Sequence, residues 1–339
     1  PYVVLLNWNG WGDTIACLQT LFHSRGPRPR VIVCDNNSQD QSLAHIAAWA
    51  RGELSPARPA DERLRALLGE PHQPITVQRS DRSAISAGDV RVTADLVLID
   101  NQANLGFAAG NNVGLRLALA QDDMQSVWLL NNDTLVEPAC LAEMQAVLAE
   151  EGNRGVCGSV IHFFDRPDII QAIGGNRFNR ITGTAARSYG RYRHEDEPLD
   201  TGLAEREIDY LSGCSMLLSR HFLEQVGLMS EDYFLYYEEV DWFSRAGSDQ
   251  PVRIANGARL YHREGSSIGS PGWRRAPSAL SDYHMHRSRL IFMRKHHRHF
   301  LPGCYLRGMA DLARRLLTGQ YKNARALGSA LLGGSYGAA

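Results

Sequence analysis

The chain has 339 residues, 44% hydrophobic and 22% charged, with 36 Lys+Arg against 37 Asp+Glu. This is an ordinary globular composition with room for one or two domains, and a net charge of -1 excludes bulk electrostatic binding to nucleic acid. Cys17, Cys34, Cys140, Cys157, Cys214 and Cys304 form no C-x-x-C pair, which argues against a zinc site or a disulfide frame and for a reducing, cytoplasmic setting.

No apolar run approaches the roughly 18 residues of a membrane span, and the opening run Tyr2–Leu6 is too short for a signal peptide. That run reads as a buried strand ending in Asn7-Trp8-Asn9-Gly10. Asp13 is suited to cap the next helix, which carries Leu18, Leu21 and Phe22 and is broken by Pro27 and Pro29. Val31–Cys34 is a second strand, ending in Asp35-Asn36-Asn37-Ser38 and followed by a helix to about Arg51. Two β–α units thus each place short polar side chains at a strand's carboxyl end. That is the doubly wound pattern, with one crevice lined from several strands.

Residues 52–95 break the pattern with Pro56, Pro59, Pro71 and Pro74 and high charge. A short helix around Glu62–Leu68 is expected within an insertion or long connection. The core pattern resumes at Leu96–Asp100. Asn104-Leu105-Gly106-Phe107-Ala108-Ala109-Gly110-Asn111-Asn112 then leads into an apolar helix, Val113–Leu119. A glycine-rich entry to a helix N-terminus suits an anion or nucleotide, although neither G-x-G-x-x-G nor P-loop spacing is present.

The apolar run Val127–Leu130 stops abruptly at Asn131-Asn132-Asp133-Thr134, as a buried parallel strand does where it opens into a crevice. Asp133 offers a hard oxygen ligand for Mg²⁺ or Mn²⁺; the same residues would also make a plain turn. Thr134, Glu137 and Pro138 introduce a helix to Glu150, and Val156–Phe164 reads as a strand. Residues 165–209 show no period and many arginines, and are expected to form a loop-rich, mobile or acceptor-facing segment. Tyr210–Leu218 reads as one strand, with Gly213 where backbone or ligand comes close. A helix from Arg220 ends at Gly227.

Tyr233–Trp242 sets three carboxylates behind an aromatic run. On a helix Glu238, Asp241 and Arg245 share a face, Asp241 and Arg245 can pair, and Glu239 is turned about 100° away. Such acids also compensate a helix dipole. Ala258–His262 ends another apolar step in a histidine, with Glu264-Gly265-Ser266-Ser267 beyond it. Residues 281–300 read as helical. From Leu301, Tyr305, Met309, Leu312 and Leu316 make an apolar stripe, with Arg307, Arg314, Arg315, Lys322 and Arg325 on the rest. Two readings of that helix stay open: packing on the main domain, or peripheral contact with the inner face of the cell membrane.

In this order and spacing, Leu5–Gly10, Val33–Ser38, Asn104–Asn112, Leu129–Thr134, Leu211–Cys214, Phe234–Asp241 and His262 resemble the inverting GT-A glycosyltransferases of family 2, particularly rhamnosyltransferase-like bacterial members. The resemblance implies an α/β GT-A fold: a Rossmann-like, mostly parallel central sheet with helices on both faces and a C-terminal helical segment. It places a catalytic domain at 1–270 and a helical extension at 271–339. The nucleotide-sugar half would be 1–135, with the insertion at 52–95, and the acceptor half 136–270. It also implies a nucleotide-sugar donor (dTDP-rhamnose or a UDP-sugar), a glycan or lipid-linked acceptor, Mn²⁺ or Mg²⁺, and a place in cell-envelope polysaccharide synthesis.

By the same resemblance Asp35 holds the base or ribose, and Asn7, Asn9, Asn37, Asn104, Gly106, Asn111 and Asn132 line the donor pocket. Asp133 is the last acid of the D-x-D motif, with His262 completing the metal site. Glu239 is the base, with Glu238 and Asp241 beside it, and Gly213 and Trp242 lie on the acceptor side. The chain departs from the pattern at Asn131, where the motif's first acid usually stands, and at Glu239, usually an aspartate. The chemistry agrees. Expulsion of a nucleoside diphosphate builds negative charge that a divalent cation neutralises, and the leaving group needs no proton, so a single carboxylate base suffices. A sugar-nucleotide pyrophosphorylase would need a basic, glycine-rich loop where Asn7–Gly10 stands. A non-catalytic nucleotide-sugar-binding or assembly protein of the same fold is the other alternative.

Overall fold

The computed structural model describes residues 1–69, 74–186, 190–263 and 277–336. Its first half is a run of parallel strands, β1 (Tyr2–Asn7), β2 (Arg30–Asp35), β3 (Val77–Asp81), β4 (Leu96–Asp100) and β5 (Ser126–Asn131), lying side by side in the order β3-β4-β2-β1-β5. Between them run α1 (Trp11–Phe22), α2 (Ser42–Ala50), α3 (Glu62–Leu67), α4 (Arg82–Ala87) and α5 (Gly106–Leu119). The chain moves from β1 outward to β2 and returns on the other side of β1 as β5. That reversal is a topological switch point, and it opens a crevice at the carboxyl ends of β1 and β5.

The second half contributes β6 (Thr134–Val136), α6 (Cys140–Glu150), β7 (Val156–Phe163), β8 (Arg166–Ile173), β9 (Gly175–Asn179), β10 (Thr184–Ala186), α7 (Thr201–Glu207), β11 (Tyr210–Leu211), β12 (Ser215–Ser219), α8 (Arg220–Val226), α9 (Glu238–Ala246) and β13 (Val252–His262). The sheet continues from β5 as β12-β7-β13-β6, with β8 paired to β7, while β10-β9-β11 forms a small second sheet. Three helices close the chain: α10 (Ala279–His296), α11 (Leu301–Leu317) and α12 (Tyr321–Leu331). The expected domain boundary at 270 and the run Glu264–Ser267 lie outside the described residues, as does Pro71.

Alternation along β1 shows why both faces of the sheet are covered. Tyr2 and Val4 point into a core shared with Val113 and Leu117 of α5. Val3 and Leu5 point into the opposite core, shared with Ile15, Leu18 and Leu21 of α1 and with Leu141 and Met144 of α6. Each such fully buried aliphatic side chain contributes roughly 1.5–3 kcal/mol, so a one-residue slip of the strand would exchange both sets at once. Leu290, Phe292 and Met293 of α10 join the first core together with Met216 and Trp242.

Several expectations from the sequence are corrected. Residues 77–87 are not an insertion; they supply β3, the edge strand of the parallel sheet, and α4. As an edge strand β3 is only half-buried, so it lacks the apolar run that marks a central strand. The stretch 165–209 holds β8, β9, β10 and α7; its strands belong partly to the small sheet and carry mixed polarity. Tyr210–Leu218 is two strands in different sheets, split at Ser212-Gly213-Cys214. Thr134 lies in β6, and α6 begins only at Cys140. Gly10, not Asp13, is the N-cap of α1.

Candidate active site

The carboxyl ends of β1, β2 and β5 are tied together by a network of short polar side chains. Asn7 is fully buried. Its amide donates to Asp35 Oδ1 at 2.6 Å and to Ser38 Oγ at 3.1 Å, and its Oδ1 accepts from Thr14 Oγ1 at 2.7 Å. Asn132 donates to Thr14 Oγ1 at 2.8 Å and to Asn7 Oδ1 at 3.3 Å. Asp35 is 3% exposed, and both of its oxygens accept from Ser38, from the backbone N–H and from the hydroxyl. Asp35 therefore pins the turn after β2, and Asn7 and Asn132 fix the neighbouring strand ends. Asn9 backs the same turn, its Oδ1 accepting from Gln39 N at 2.7 Å. Asn37 stands exposed with a left-handed φ of 58°. A hollow of about 280 Å³ alongside is lined by Asn9, Gly10, Trp11, Asp13, Asp40 and Arg263.

The glycine-rich segment is helical from its first glycine. Gly106 lies at φ 76°, and a methyl group there would overlap the Phe234 carbonyl oxygen. Phe107 N–H donates to that same carbonyl at 2.8 Å. Asn104 Oδ1 accepts from Gly106 N at 3.1 Å, so Asn104 and Gly106 form a capping turn docked on the segment that leads into α9. Gly110 serves packing instead. A Cβ there would come within 2.6 Å of Leu6 Cδ1, so the glycine lets α5 sit close on the sheet. Asn111 is buried and donates back to Phe107 O at 2.9 Å.

Asp133 and His262 meet. His262 ends β13, which pairs with β6 in the register His262 to Thr134, and its Nε2 lies 3.1 Å from Asp133 Oδ1. Asn131 Nδ2 lies 3.3 Å from the same ring nitrogen, and His262 Nδ1 is 3.0 Å from Gln171 Oε1. Burial works against a charged ring here. Cys214 and the Asp133 carboxylate beside it outweigh that and raise the His262 pKa well above the ordinary value. Among the described residues no group of three or more His, Cys, Asp and Glu is placed to hold a metal ion. A carboxylate and an imidazole in contact at a strand end nevertheless suit Mn²⁺ or Mg²⁺ whose remaining positions a diphosphate fills. Arg263 follows, its N–H donating to Asp133 O at 3.0 Å and its guanidinium 3.2 Å from Asp13 Oδ1.

The three acids of α9 have three different surroundings. Asp241 is fully buried and is ringed by basic side chains: Arg245 Nε at 2.8 Å, His296 Nε2 at 2.7 Å and Lys295 Nζ at 3.1 Å, with the Tyr233 hydroxyl at 3.1 Å. Burial alone would raise its pKa, but His296, Arg245 and Lys295 together hold it below the usual value. Glu238 is buried and raised well above the carboxylate range, first by desolvation and then by the charge of Glu239. Its Oε2 has no hydrogen-bond partner among the described residues. Glu239 is half-buried, its pKa raised by desolvation against the opposing hydrogen bond from Gly213. That bond, Gly213 N–H to Glu239 Oε1, is 3.0 Å long.

The turn that makes this bond also reaches the strand end that carries the Asp133–His262 pair. Cys214 O accepts from Asn131 N at 2.9 Å. One turn, Ser212-Gly213-Cys214, therefore holds Glu239 on one side and the start of Asn131-Asn132-Asp133 on the other. Trp242 is not brought there. It is fully buried, its indole donating to Gly227 O at 2.8 Å and its ring packed against Phe222, so it belongs to the core and not to an acceptor surface.

The backbone leading to Glu238 is held in a costly shape. Tyr236 and Tyr237 both have left-handed φ, 67° and 72°, at about 1–3 kcal/mol each for non-glycine residues. α10 braces them. Ser281 Oγ lies 2.8 Å from the Tyr236 hydroxyl, Ser288 Oγ donates to Leu235 O at 2.7 Å, and Arg289 Nε donates to the Tyr237 hydroxyl at 3.2 Å. The Tyr237 hydroxyl in turn donates to Gly183 O. Ser38 and Cys214 stood in the recognised segments without a role assigned to them, and Thr14, Gln171 and the α10 residues escaped the sequence reading. Ser38, three residues after Asp35, carried the spacing of an Asx turn; the others carried no local signal.

A parallel sheet with a switch-point crevice, a carboxylate–imidazole pair at one strand end and a raised carboxyl on the facing helix together form the candidate site. Solved structures share the fold. The mannosyltransferase PcManGT of Pyrobaculum calidifontis, in complex with GDP-Man and Mn²⁺, aligns over 98% of this chain and 85% of its own at 13% identity, with a TM-score of 0.50. TarS 1–349 of S. aureus, in complex with UDP-GlcNAc, aligns over 97% of this chain and 81% of its own at 16% identity, with a TM-score of 0.50.

Residues 91–227 match the family described as glycosyl transferase family 2. The match takes in Asn104–Asn112, Asn131–Asp133 and Gly213, and ends before α9. The chain is 29% identical over 156 residues to the low-salt glycan biosynthesis hexosyltransferase Agl10 of Haloferax volcanii, covering 45% of this chain and 46% of that protein. It is 25% identical over 268 residues to the N-acetylglucosaminyl-diphospho-decaprenol L-rhamnosyltransferase of Mycobacterium tuberculosis, covering 72% of this chain and 82% of that one.

Proposed function

We propose that the protein is an inverting glycosyltransferase that moves a sugar from a nucleotide-sugar to a hydroxyl of a glycan or lipid-linked acceptor. The observation that carries this reading is the Ser212–Cys214 turn, which holds a carboxyl of raised pKa and the Asp133–His262 pair on its two sides. Rhamnose from dTDP-rhamnose, or a hexose from a UDP-sugar, is the favoured donor class, in keeping with the names of the two relatives. The acceptor half is assigned to residues beyond 135 and the donor half to those before.

In this reading Asp133 and His262 are the ligands of Mn²⁺ or Mg²⁺, and such a cation, when bound, neutralises the charge that grows on the departing diphosphate. Asn7, Asp35 and Asn132 act by fixing the strand ends; Asn9, Asn37, Asn104, Gly106 and Asn111 shape the donor pocket around them. Glu239 accepts the acceptor hydroxyl's proton. Its oxygen is aimed by the Gly213 N–H, and its raised pKa brings it nearer to working pH. Glu238 is buried beside it, and Asp241 anchors the helix. A single displacement by a deprotonated hydroxyl inverts the anomeric centre.

Glu239→Gln tests the proposal. The amide cannot take a proton, so turnover at saturating donor and acceptor should fall at least ~10²-fold, with donor affinity kept. A panel of nucleotide-sugars, with and without Mn²⁺, should yield one that raises the melting temperature only with the metal, since a ligand of the native state stabilises by mass action. A Glu239→Gln protein that turns over like wild type, or a panel with no stabilising donor, would sink the reading.

A further inference from the structure

α11 packs Cys304 and Tyr305 on the core but is also apolar on its outer face. On its inner face Arg315 is buried, its guanidinium 3.0 Å from Asp282 of α10 and donating to Gln320 at 2.6 Å, and Asp311 lies 3.9 Å from the buried Arg289. Its outer face is apolar at helical spacing: Pro302, Leu306, Met309, Ala313 and Leu316, all exposed. Leu306 is 64% exposed, Met309 51% and Leu316 49%, and the following Leu317 reaches 88%. A helix whose outer face meets water ordinarily carries polar residues there.

Charge says what covers this face. Residues 277–336 hold ten of the chain's 36 Lys+Arg but two of its 37 Asp+Glu, and Arg307, Arg314, Lys322 and Arg325 stand exposed around the stripe. A second copy of the chain would bring the same positive charge against itself. An anionic surface would be complemented, with apolar side chains in the headgroup–acyl boundary and arginine and lysine stems reaching up to phosphate. No helix among the described residues is long and apolar enough to cross a membrane.

We propose that α11 and the start of α12 dock on an anionic lipid surface, with Leu306, Met309 and Leu316 buried in the boundary layer and Arg314, Lys322 and Arg325 at the phosphates. The proposal stands whether or not the transferase reading holds.

The test is flotation of the full chain with phosphatidylcholine vesicles, with and without phosphatidylglycerol, beside sedimentation equilibrium of the protein alone. The chain should float only with phosphatidylglycerol, and less as salt is raised. The triple variant R314Q/K322Q/R325Q should bind roughly 5-fold more weakly per charge removed, more than ~100-fold in all. The variant L306S/M309S/L316S changes exposed positions only, so its melting temperature should stay near wild type while binding falls at least ~10-fold. Failure of the wild type to bind phosphatidylglycerol vesicles overturns the proposal, as does binding that neither variant weakens. A wild-type dimer that the serine variant dissociates also overturns it, and makes the face a contact between copies.

Discussion

Gly213→Ala isolates the positioning of the base. Its backbone is not in the left-handed region, so alanine strains nothing there. A methyl group at this position would, however, overlap Glu239 Oε1 and sit 3.1 Å from the carboxyl carbon. The carboxylate is the far end of a flexible side chain, so it yields at small cost to folding, by a movement on the order of 1 Å. A displacement of that size at a reacting group costs ~10²-fold in rate, or ~2.7 kcal/mol of transition-state stabilisation. The expected outcome is a melting temperature near wild type, an unchanged donor dissociation constant and a kcat reduced ~10²-fold. Steady-state transfer kinetics, titration calorimetry and a thermal melt on the one variant give all three numbers. An alanine variant with wild-type kcat would show that the Gly213–Glu239 contact does not set the base, and the assignment of Glu239 would lose its geometric support.

The rate itself should depend on pH through Glu239. Its pKa is raised by burial, so kcat should rise with pH to a plateau, with a midpoint above the ~4.3 of an ordinary glutamate; a midpoint at or below that value refutes the assignment. Asp133→Asn should abolish Mn²⁺- or Mg²⁺-dependent donor binding, read by calorimetry with and without chelator, while the fold survives. Full binding by this variant would remove the metal from the mechanism. Asp241→Asn should lower stability by ~3 kcal/mol, the low end for breaking a buried ion pair, because Arg245 and Lys295 remain 28% and 36% exposed. The native pKa of Asp241 is lowered, so its stabilisation is full above the unfolded value of ~3.9 and fades as pH falls through the native one. Thermal melts of wild type and variant should therefore converge in acid and differ at neutral pH.

What could be read in the sequence followed from local rules. Strands β1, β2, β4 and β5 are buried on both faces and appear as plain apolar runs, and their polar ends located the crevice. β3 was missed because an edge strand needs no such run. The Asp241–Arg245 pair was visible because helical spacing fixes it within four residues, and Glu239 stood apart for the same reason. The partners that decide behaviour at these sites come from far along the chain. His296 is 55 residues from Asp241, Gln171 is 91 from His262, and only tertiary folding joins them. Trp242 looked available because it neighbours the acids, but a helix turns adjacent residues about 100° apart, and its indole went to the core.

The residues of α10 that grip the segment leading into α9 are Ser281, Ser288 with Arg289, and Lys295 with His296. They recur every seven positions, two turns apart, and so form one row along the helix. The row is a ruler laid against residues 235–241, and its marks stay aligned only while the count between them is preserved. Substitutions within α10 remove one mark at a time, whereas losing or gaining a single residue midway would rotate everything beyond it by about 100°. The turn that presents Glu239 would then lose half of its grip in one step, although no residue of the crevice had changed.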